Sequence, residues 1–311
     1  MEVVVEIRAF HRRDRDQLTE LVNAHIGAVV PGWAVSVSAL LAQLEREPAQ
    51  YVVDPWVVER TALVALERDR VVAGAYLKRY ASDSRVTPDY HGAGEIAWLV
   101  CLPTKLHAGA ALAAACVQQL EDWNVTRQWA DGSLPTPATF GVSDAWPHVS
   151  ALLRGAGFDD DQGRTEILLA GPLERAGEPG PAPIDGLVVR REVGHLTTAF
   201  IAELDGEAIG YAHVRSDLTR GGTLSCLAGW ADMWELRVEP AFRHRGVATW
   251  LVRTAAAWLR LGGSSRMLAD VAPDMENPEM DRFYARFGWR EIGRSRRGWR
   301  RVPGTPADHP G

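Results

Sequence analysis

The sequence lacks the features that would assign it to several large classes of protein. It contains only three cysteines among 311 residues, Cys101, Cys116 and Cys226, and none lies in CxxC or Cys/His spacing. This argues against a disulfide framework and against a zinc site, so we expect no bound metal. No segment approaches the roughly 18 uninterrupted apolar residues of a membrane span, and "MEVVVEIRAF" at the N-terminus lacks a secretory-signal pattern. We therefore expect a cytoplasmic protein that does not contact membranes.

The chain also has no large excess of positive or negative charge, since the formal net charge is −6 at pH 7. A weakly acidic chain has no general attraction for nucleic acid or for an anionic membrane. Five arginines do cluster near the C-terminus: Arg294, Arg296, Arg297, Arg300 and Arg301. They alternate along a predicted terminal hairpin, which favours a charged edge strand over a nucleic-acid surface. We expect no nucleic-acid partner, and any basic site must be local.

The length of the chain exceeds that of one ordinary domain, and its apolar content of 46% is enough for ordinary cores. The stretch "GPLERAGEPGPAPIDG" is crowded with proline, glycine and charge, as linkers are. Similar runs of strands and helices occur in the same order on both sides of it. The predicted fold class is therefore α/β (α+β), with two tandem copies of a mixed, mostly antiparallel sheet flanked by helices. We expect domains at 1–172 and 187–303, a linker at 173–186 and a disordered tail at 304–311.

The C-terminal copy has the clearer pattern. The runs "LVVRRE", "TTAFIAELDGEAIGYAHV" and "MWELRVE" predict strands, with Asp205-Gly206 as a hairpin turn. After Pro240, apolar residues recur at helical spacing as far as Gly262-Gly263. A strand "RMLADV" and a short helix follow, and "GWREIG" with "RSRRGWRRV" predicts a hairpin that closes this sheet.

The junction between "MWELRVE" and the long helix contains two arginines and a glycine, Arg243, Arg245 and Gly246. A helix N-terminus offers unpaired N–H groups and the positive end of the helix dipole, which together attract anions. Glycine allows close approach of the backbone, and the arginines add forked donors that suit phosphate oxygens. The junction therefore predicts a phosphate or pyrophosphate site. Neither GxxxxGK[ST] nor GxGxxG is present, which argues against a nucleoside triphosphatase and a dinucleotide fold.

The pattern Arg243-x-x-Gly246-x-Ala248, preceded by "LRVEP" and followed by a helix, a strand and "NPEMDRFYARFGW", resembles the acyl-CoA pyrophosphate loop of the GNAT superfamily of N-acyltransferases. The resemblance covers about 187–302 and, more weakly, the N-terminal copy. It implies acetyl-CoA (coenzyme A) as the cofactor, with the loop at its pyrophosphate and the preceding strand along its pantetheine arm. The implied cofactor-binding residues are Leu236, Arg237, Val238, Arg243, His244, Arg245, Gly246, Val247, Ala248 and Asn277. The tandem layout is similar to that of the mycothiol synthases, which acetylate an amine of a sugar-like thiol.

The same resemblance implies an N-acetyltransferase that transfers the acetyl group directly to a primary amine of a small molecule. It places Tyr284 near the cofactor sulfur, where a phenol with a pKa of ~10 can protonate the leaving thiolate. Glu235, with Asp232 behind it, is the candidate base for the attacking amine. Three other interpretations stay open: Tyr284 packs in the core, Glu235 pairs with an arginine, and Asn277 only caps a helix.

Comparison of the two copies predicts one active and one degenerate domain. Matching the prolines before the two loops, Pro103 and Pro240, sets Gly109 on the loop glycine but replaces both arginines with apolar residues. The N-terminal copy is therefore expected to have lost its phosphate site. Lys105 and His107 lie close to that loop, so a weak second site stays open.

The C-terminal copy departs from the family in another way, because "REVGHLTTAF" leaves no room for the two helices that usually follow the first strand. These helices normally form a wall of the acceptor site, so we expect the N-terminal domain or a second subunit to supply it. Either a monomer or a homodimer fits this expectation. The alternative function is a non-catalytic acyl-CoA-binding or protein-interaction module.

Overall fold

The computed structural model describes residues 4–45, 56–136, 140–194, 197–219, 224–273 and 280–302. The chain forms two compact units, Met1–Glu166 with Gly293–Gly311 and Ile167–Ile292. This division differs from the expected boundaries of 172 and 303. Part of the expected linker also packs closely, since Leu173–Ala176 forms a short 3₁₀ helix that buries its apolar ends in the second unit. Composition alone predicted a free segment, whereas these apolar side chains bind it to a core.

Fourteen strands and six helices form the described structure. The strands are β1 (Glu6–Ala9), β2 (Val57–Glu67), β3 (Arg70–Tyr80), β4 (Gly94–Cys101), β5 (Gln128–Ala130), β6 (Val142–Ser143), β7 (Arg164–Pro172), β8 (Val188–Val193), β9 (Thr198–Leu204), β10 (Glu207–Arg215), β11 (Trp230–Val238), β12 (Arg266–Val271), β13 (Arg290–Arg297) and β14 (Trp299–Arg301). The helices are α1 (Arg15–Val29), α2 (Val37–Leu44), α3 (Leu106–Asp122), α4 (Pro147–Gly155), α5 (Val247–Leu261) and α6 (Met280–Ala285). No helix of the described ranges is long and apolar enough to cross a bilayer.

The N-terminal unit contains a six-stranded sheet in the order β1-β2-β3-β4-β5-β14. Its neighbouring strands are antiparallel except for β4 and β5, which are parallel. The C-terminal unit contains β7-β12-β11-β10-β9-β8 in that order, and β11 with β12 is again the parallel pair. Both sheets therefore have the mixed, mostly antiparallel character that the sequence predicted.

Helix α5 shows how local pattern and packing agree in the C-terminal unit. Its buried side chains recur along one face at helical spacing: Val247, Leu251, Val252, Ala255, Ala256 and Leu259. This stripe packs against the sheet in one hydrophobic core. The helix ends at Gly262, and Gly263 adopts a left-handed conformation with φ 85°. The predicted hairpin turn also forms, with positive φ at both Asp205 and Gly206.

The last strands pair differently from the sequence prediction, which placed a closing hairpin of the C-terminal copy at 288–302. Instead β14 pairs antiparallel with β5, in the sheet of the N-terminal unit. Correspondingly, β7 pairs with β12 in the C-terminal unit, although it ends the N-terminal copy in sequence. The prediction was wrong because strand propensity is a local property, whereas the choice of partner depends on which sheet edges meet in the folded chain.

From β2 to the loop after β4, the first copy is related to the second by an offset of 137 positions. Strand β3 begins at Arg70 and β10 at Glu207, a difference of 137 (207 less 70). Pairing with the neighbouring strand skips one residue in each central strand, Ala97 in β4 and Trp234 in β11, again 137 apart (234 less 97). Such β-bulges bend a strand and increase its twist. The bulge therefore lies at the same point of both copies, and the same offset relates Pro103 to Pro240.

Outside this stretch the offset changes. Trp129 of β5 pairs with Glu95 and Leu268 of β12 pairs with Asp232, which gives an offset of 139 (268 less 129), and the copies differ most before the second strand. Helices α1 and α2 lie between β1 and β2, whereas β8 and β9 are joined by residues 194–197, where Gly194 N–H donates to the Thr197 carbonyl at 2.8 Å. In the N-terminal unit α1 packs closely on β3, since a Cβ added to Gly74 would lie 2.5 Å from Leu18 Cδ1. The equivalent position in β10 is Tyr211, whose ring lies on a sheet face that has no such helix.

Candidate active site

The loop between β11 and α5 has the geometry of an anion-binding helix N-terminus. Gly246 is the N-cap of α5 with φ 88° and ψ −9°, and His244 also has a positive φ of 59°. Glycine is required at the cap because a Cβ there would be strained at this φ and would meet Pro183 Cβ at 3.1 Å. The first turn of α5, from Val247 and Ala248, presents N–H groups that have no partner within the helix. The loop residues predicted from the sequence are thus brought together in one turn.

The two arginines of the loop differ in their surroundings. Arg243 is half-buried, and its Nε donates to the Val238 carbonyl at 3.1 Å, which fixes the path of the loop. Arg245 is exposed, with its guanidinium carbon 5.7 Å from the centre of the Phe242 ring. His244 is exposed as well. Arg245 is therefore the exposed positive charge of the loop, while Arg243 contacts the backbone of the preceding strand.

The strand before the loop has a backbone edge that faces away from its neighbour. Pairing of β11 with β12 covers 230–233, and the remainder of β11 has no partner strand on that side among the described residues. Glu239 N–H donates to the Ile209 carbonyl at 2.9 Å, which sets the alternation of the β10–β11 ladder. Leu236 and Val238 therefore direct their backbone N–H and C=O groups away from β10, whereas the backbone of Arg237 faces it. The arrangement provides a strand edge next to the anion loop.

Tyr284 of α6 is buried, with only 2% of its surface exposed. Its ring stacks on Trp289 at a centroid distance of 5.1 Å and an angle of 8°. Burial raises the pKa of Tyr284, and the charge of Asp232 raises it further. The phenol therefore stays protonated near neutral pH, the form in which it can donate a proton. Asn277, the remaining predicted cofactor contact, lies outside the described residues.

Asp232 is buried in an ion pair beside the bulge of β11. Arg215 Nε donates to Asp232 Oδ2 at 3.0 Å, and the two residues lie directly opposite each other in the sheet. Burial raises the pKa of the Asp232 carboxyl, and Arg215 opposes this change. The same guanidinium lies 4.3 Å from the ring centre of Trp234, the bulged residue. Arg215 therefore contacts both Asp232 and the bulged Trp234, and so stabilises the bend of β11.

Glu235 lies on the sheet face opposite α5, in a polar cluster that the sequence did not predict. The Tyr211 hydroxyl donates to Glu235 Oε1 at 2.6 Å, and His213 Nδ1 lies 3.7 Å from Glu235 Oε2. The rings of Tyr211 and His213 stack, with centroids 4.8 Å apart. The hydrogen bond to Glu235 raises the pKa of Tyr211. The partners of Glu235 are thus a tyrosine and a histidine, whereas the nearby Arg237 lies 3.9 Å from Glu239.

The sequence pattern did not identify His213 or Tyr211 as site residues. The available signal was strand alternation: both residues occupy alternate positions of "GYAHV" and face the strand that carries Glu235 once the hairpin closes. In the structure His213 is half-exposed. Among the described residues, no group of three or more His, Cys, Asp or Glu side chains is placed to hold a metal ion.

The corresponding loop of the N-terminal unit has a different structure. Helix α3 begins at Leu106 and carries Gly109 inside its first turns, so no glycine cap forms. Lys105 Nζ lies 2.6 Å from Glu67 Oε2, and His107 Nε2 lies 2.9 Å from Glu67 Oε1. The two side chains that might have compensated for the lost arginines therefore contact a carboxylate of their own unit.

These features, two related α/β units with an anion loop and a free strand edge in the second, define the class of protein. Residues 173–289 match the family model described as "Acetyltransferase (GNAT) family". The C-terminal part of the chain therefore contains a GNAT acetyltransferase domain. No curated protein sequence matches the chain significantly.

Solved structures show the same fold over the whole length. A tandem GNAT protein from the clavulanic acid biosynthesis pathway is 15% identical, with a TM-score of 0.66, and covers 97% of this chain and 100% of its own. A GCN5-related N-acetyltransferase from Sphaerobacter thermophilus is 16% identical, with a TM-score of 0.63 and 97% of both chains covered. A GCN5-related glucosamine N-acetyltransferase region of a fungal multi-domain GH3 β-N-acetylglucosaminidase is 15% identical, with a TM-score of 0.65, and covers 96% of this chain and 38% of that one. The fold is thus that of tandem GNAT proteins.

Proposed function

We propose that this protein is an acetyl-CoA-dependent N-acetyltransferase that acts on a primary amine of a small molecule, with its active site in the C-terminal unit. The observation that carries the proposal is the adjacency of two features, the glycine-capped N-terminus of α5 and the backbone edge of Leu236 and Val238. Coenzyme A has a pyrophosphate followed by an arm with two amides. A helix N-terminus suits the first, and a strand edge suits the second.

The residues of the loop and of the strand edge are of the types that bind phosphate and amide groups. Gly246 allows the backbone to approach an anion where any Cβ would meet Pro183. The exposed Arg245 supplies a charge for phosphate oxygens, and Arg243 holds the loop against Val238. When bound, acetyl-CoA supplies an activated acetyl group as a thioester. The fit rests on donor type and on the shape of the backbone.

Two side chains provide the proton transfers that amide formation requires. Tyr284 is protonated and buried, so we assign it the role of general acid toward the departing sulfur. Glu235 lies on the opposite sheet face from α5, beside the bulge, and we assign it a part in removing the proton of the amine. Direct transfer needs no covalent enzyme intermediate.

Calorimetric titration of acetyl-CoA tests the proposal. We expect one binding site per chain in the wild type and a loss of affinity of roughly 10- to 100-fold in Arg243→Ala/Arg245→Ala, the scale of one or two charge-assisted hydrogen bonds. The matched double variant Lys105→Ala/His107→Ala should bind like the wild type, because these side chains contact Glu67.

A second assay follows the release of free thiol in the presence of a panel of small primary amines. Amine-dependent release supports the enzyme. Saturable binding without release on any amine would favour the alternative, a non-catalytic acyl-CoA-binding module. No binding at all would contradict both functions.

A further inference from the structure

We infer that His213 accepts the proton of the acceptor amine and that Glu235 and Tyr211 position it. The inference rests on the proposed acetyl transfer and names a residue that the family resemblance does not assign. Its basis is the geometry of the polar cluster on the sheet face opposite α5. In this assignment Glu235 acts through His213 and does not itself receive the proton.

The location of His213 suits a group that contacts the acceptor. His213 pairs with Glu235 across the β10–β11 ladder at the last position before the bulge at Trp234. At that bulge β11 stops pairing with β12, so the neighbouring edge groups of β11 become available. The face that carries His213 has no helix from the β8–β9 connection, which consists only of residues 194–197. A small molecule can therefore reach the imidazole.

The cluster determines which nitrogen of the imidazole can accept a proton. Tyr211 donates to one oxygen of Glu235 at 2.6 Å, and the other oxygen faces Nδ1 of His213 at 3.7 Å. A carboxylate on that side favours the tautomer with a proton on Nδ1, which leaves Nε2 as the acceptor. The distance exceeds a hydrogen bond, and such contacts commonly shorten when a ligand binds. Stacking on Tyr211 limits rotation of the ring.

Imidazole suits this role better than the carboxylate does. The Tyr211 hydroxyl donates to one oxygen of Glu235, so that oxygen is already occupied by a donor. Histidine is the side chain whose ordinary titration range lies near neutral pH, which general base catalysis requires. Two charged groups share the row of His213 and Glu235 or lie beside it: Glu192 on β8, with Ala199 of β9 between it and His213, and Arg237 on β11. The same face also carries Arg190 in the row of Tyr211 and the pair of Arg215 and Asp232 beyond the bulge.

Acetyl transfer is coupled to proton transfers at His213 and Tyr284. The acceptor arrives as an ammonium ion, and Nε2 of His213 takes one of its protons, which leaves a neutral amine. The amine nitrogen forms a bond to the thioester carbonyl carbon, and the bond between that carbon and sulfur breaks. Sulfur leaves with the bonding electron pair and takes a proton from the Tyr284 hydroxyl. Through water, the second proton of the nitrogen restores Tyr284, and His213 returns its proton to solvent.

The test compares His213→Gln, His213→Ala, Glu235→Gln and Glu192→Gln, with the rate of acetylation of an active amine measured across pH. We expect His213→Gln to lower kcat/KM about 100-fold at neutral pH, within the range of general base catalysis. Added imidazole should restore part of the rate of His213→Ala. The pH profile of His213→Gln should differ from that of the wild type, because the variant lacks the group that receives the proton. Glu235→Gln should lower kcat/KM less than His213→Gln does, and Glu192→Gln should match the wild type.

Other results would overturn the inference. A His213→Gln variant that keeps the wild-type rate and pH profile, while Glu235→Gln loses both, would make Glu235 the base and leave the proposed function intact. A wild type that binds no acetyl-CoA by calorimetry, or acetylates no amine, would overturn the proposed function and this inference together. A structural role for His213 would show as lost stability without rescue by imidazole, and it too would contradict the assignment.

Discussion

The loops that follow β4 and β11 occupy equivalent positions in the two units, yet only the second has an anion-binding geometry. Gly246 caps α5 in a left-handed conformation, whereas Gly109 lies within α3, where a Cβ would approach Cys101 Sγ at 2.8 Å and Leu152 Cδ1 at 2.6 Å. Gly246 is needed for its positive φ, whereas Gly109 is needed because a side chain would clash with its neighbours. A glycine at equivalent positions of the two units therefore does not imply a binding site in both.

At the positions equivalent to the proposed cofactor loop, side chains of the N-terminal unit contact one another. The offset of 137 sets Cys101 on Val238, and the Cys101 N–H donates to His25 Nε2 at 3.4 Å. His25 Nε2 in turn lies 3.1 Å from His148 Nε2, and Trp146 Nε1 donates to the His25 carbonyl at 2.8 Å. Together with Glu67 at the N-terminus of α3, these contacts satisfy groups that the C-terminal unit leaves available. The unit that is predicted to lack a binding function thus has the more complete internal network at this loop.

Some features persist in both units and therefore do not depend on binding. Lys78 lies opposite Glu95 in the N-terminal sheet, as Arg215 lies opposite Asp232 in the C-terminal sheet, at positions 137 apart. Each carboxylate is buried just before the bulge of its strand. Because the pair is kept where the arginine loop is lost, we assign it to support of the bulge.

The largest expected effect concerns Tyr284, for which the N-terminal copy has no tyrosine. Tyr284→Phe should lower turnover about 100-fold or more, the scale of acid–base catalysis, because the proton donor is removed while the ring remains. Affinity for acetyl-CoA should stay near the wild-type value. The matched control is Phe283→Leu, which alters packing of the same helix and should change stability with little effect on turnover. A wild-type rate in Tyr284→Phe would assign Tyr284 to core packing alone.

The two loop glycines should respond differently to the same substitution. Gly246→Ala should weaken acetyl-CoA binding about 10-fold, since the φ of 88° and the contact with Pro183 force the loop to move. Gly109→Ala should lower the thermal midpoint and leave the affinity unchanged, because its clashes are with Cys101 and Leu152. Calorimetry and thermal unfolding of both variants separate these effects. An equal loss of affinity in both would argue for a second binding site.

The comparison extends to the acid stability of the N-terminal unit. Burial lowers the pKa of His25 to about 4 from 6.5. Between these values the unfolded chain binds the extra proton, so the free energy of unfolding should fall as pH falls from 6.5 to 4. The expected loss is about 3 kcal/mol at most, from about 2.5 pKa units. Urea unfolding at pH 7, 5.5 and 4.5 measures it. His25→Gln should flatten this dependence, and an unchanged slope would show that other groups cause it.

Much of the fold followed from local sequence pattern. The hairpin at Asp205-Gly206, strand β12 over "RMLADV", helix α5 with its glycine end and the absence of helices after β8 all appear as predicted. The anion loop was also visible in sequence, because strand, glycine and helix are contiguous there. Such features are encoded within about ten residues, where propensity and backbone sterics act directly.

Only the tertiary structure decided the pairing of β14 with β5, the burial of Leu173 and the cluster of Tyr211, His213 and Glu235. Each depends on contacts between segments that are distant in sequence or joined only when a sheet forms. The side chains that surround His25 likewise come from several elements of one unit, and no local pattern distinguishes them. The sequence by itself determined the elements and the loop chemistry, because these arise from neighbouring residues. The partners of strands and of buried polar groups were decided by packing, because many segments compete for the same edges and cores.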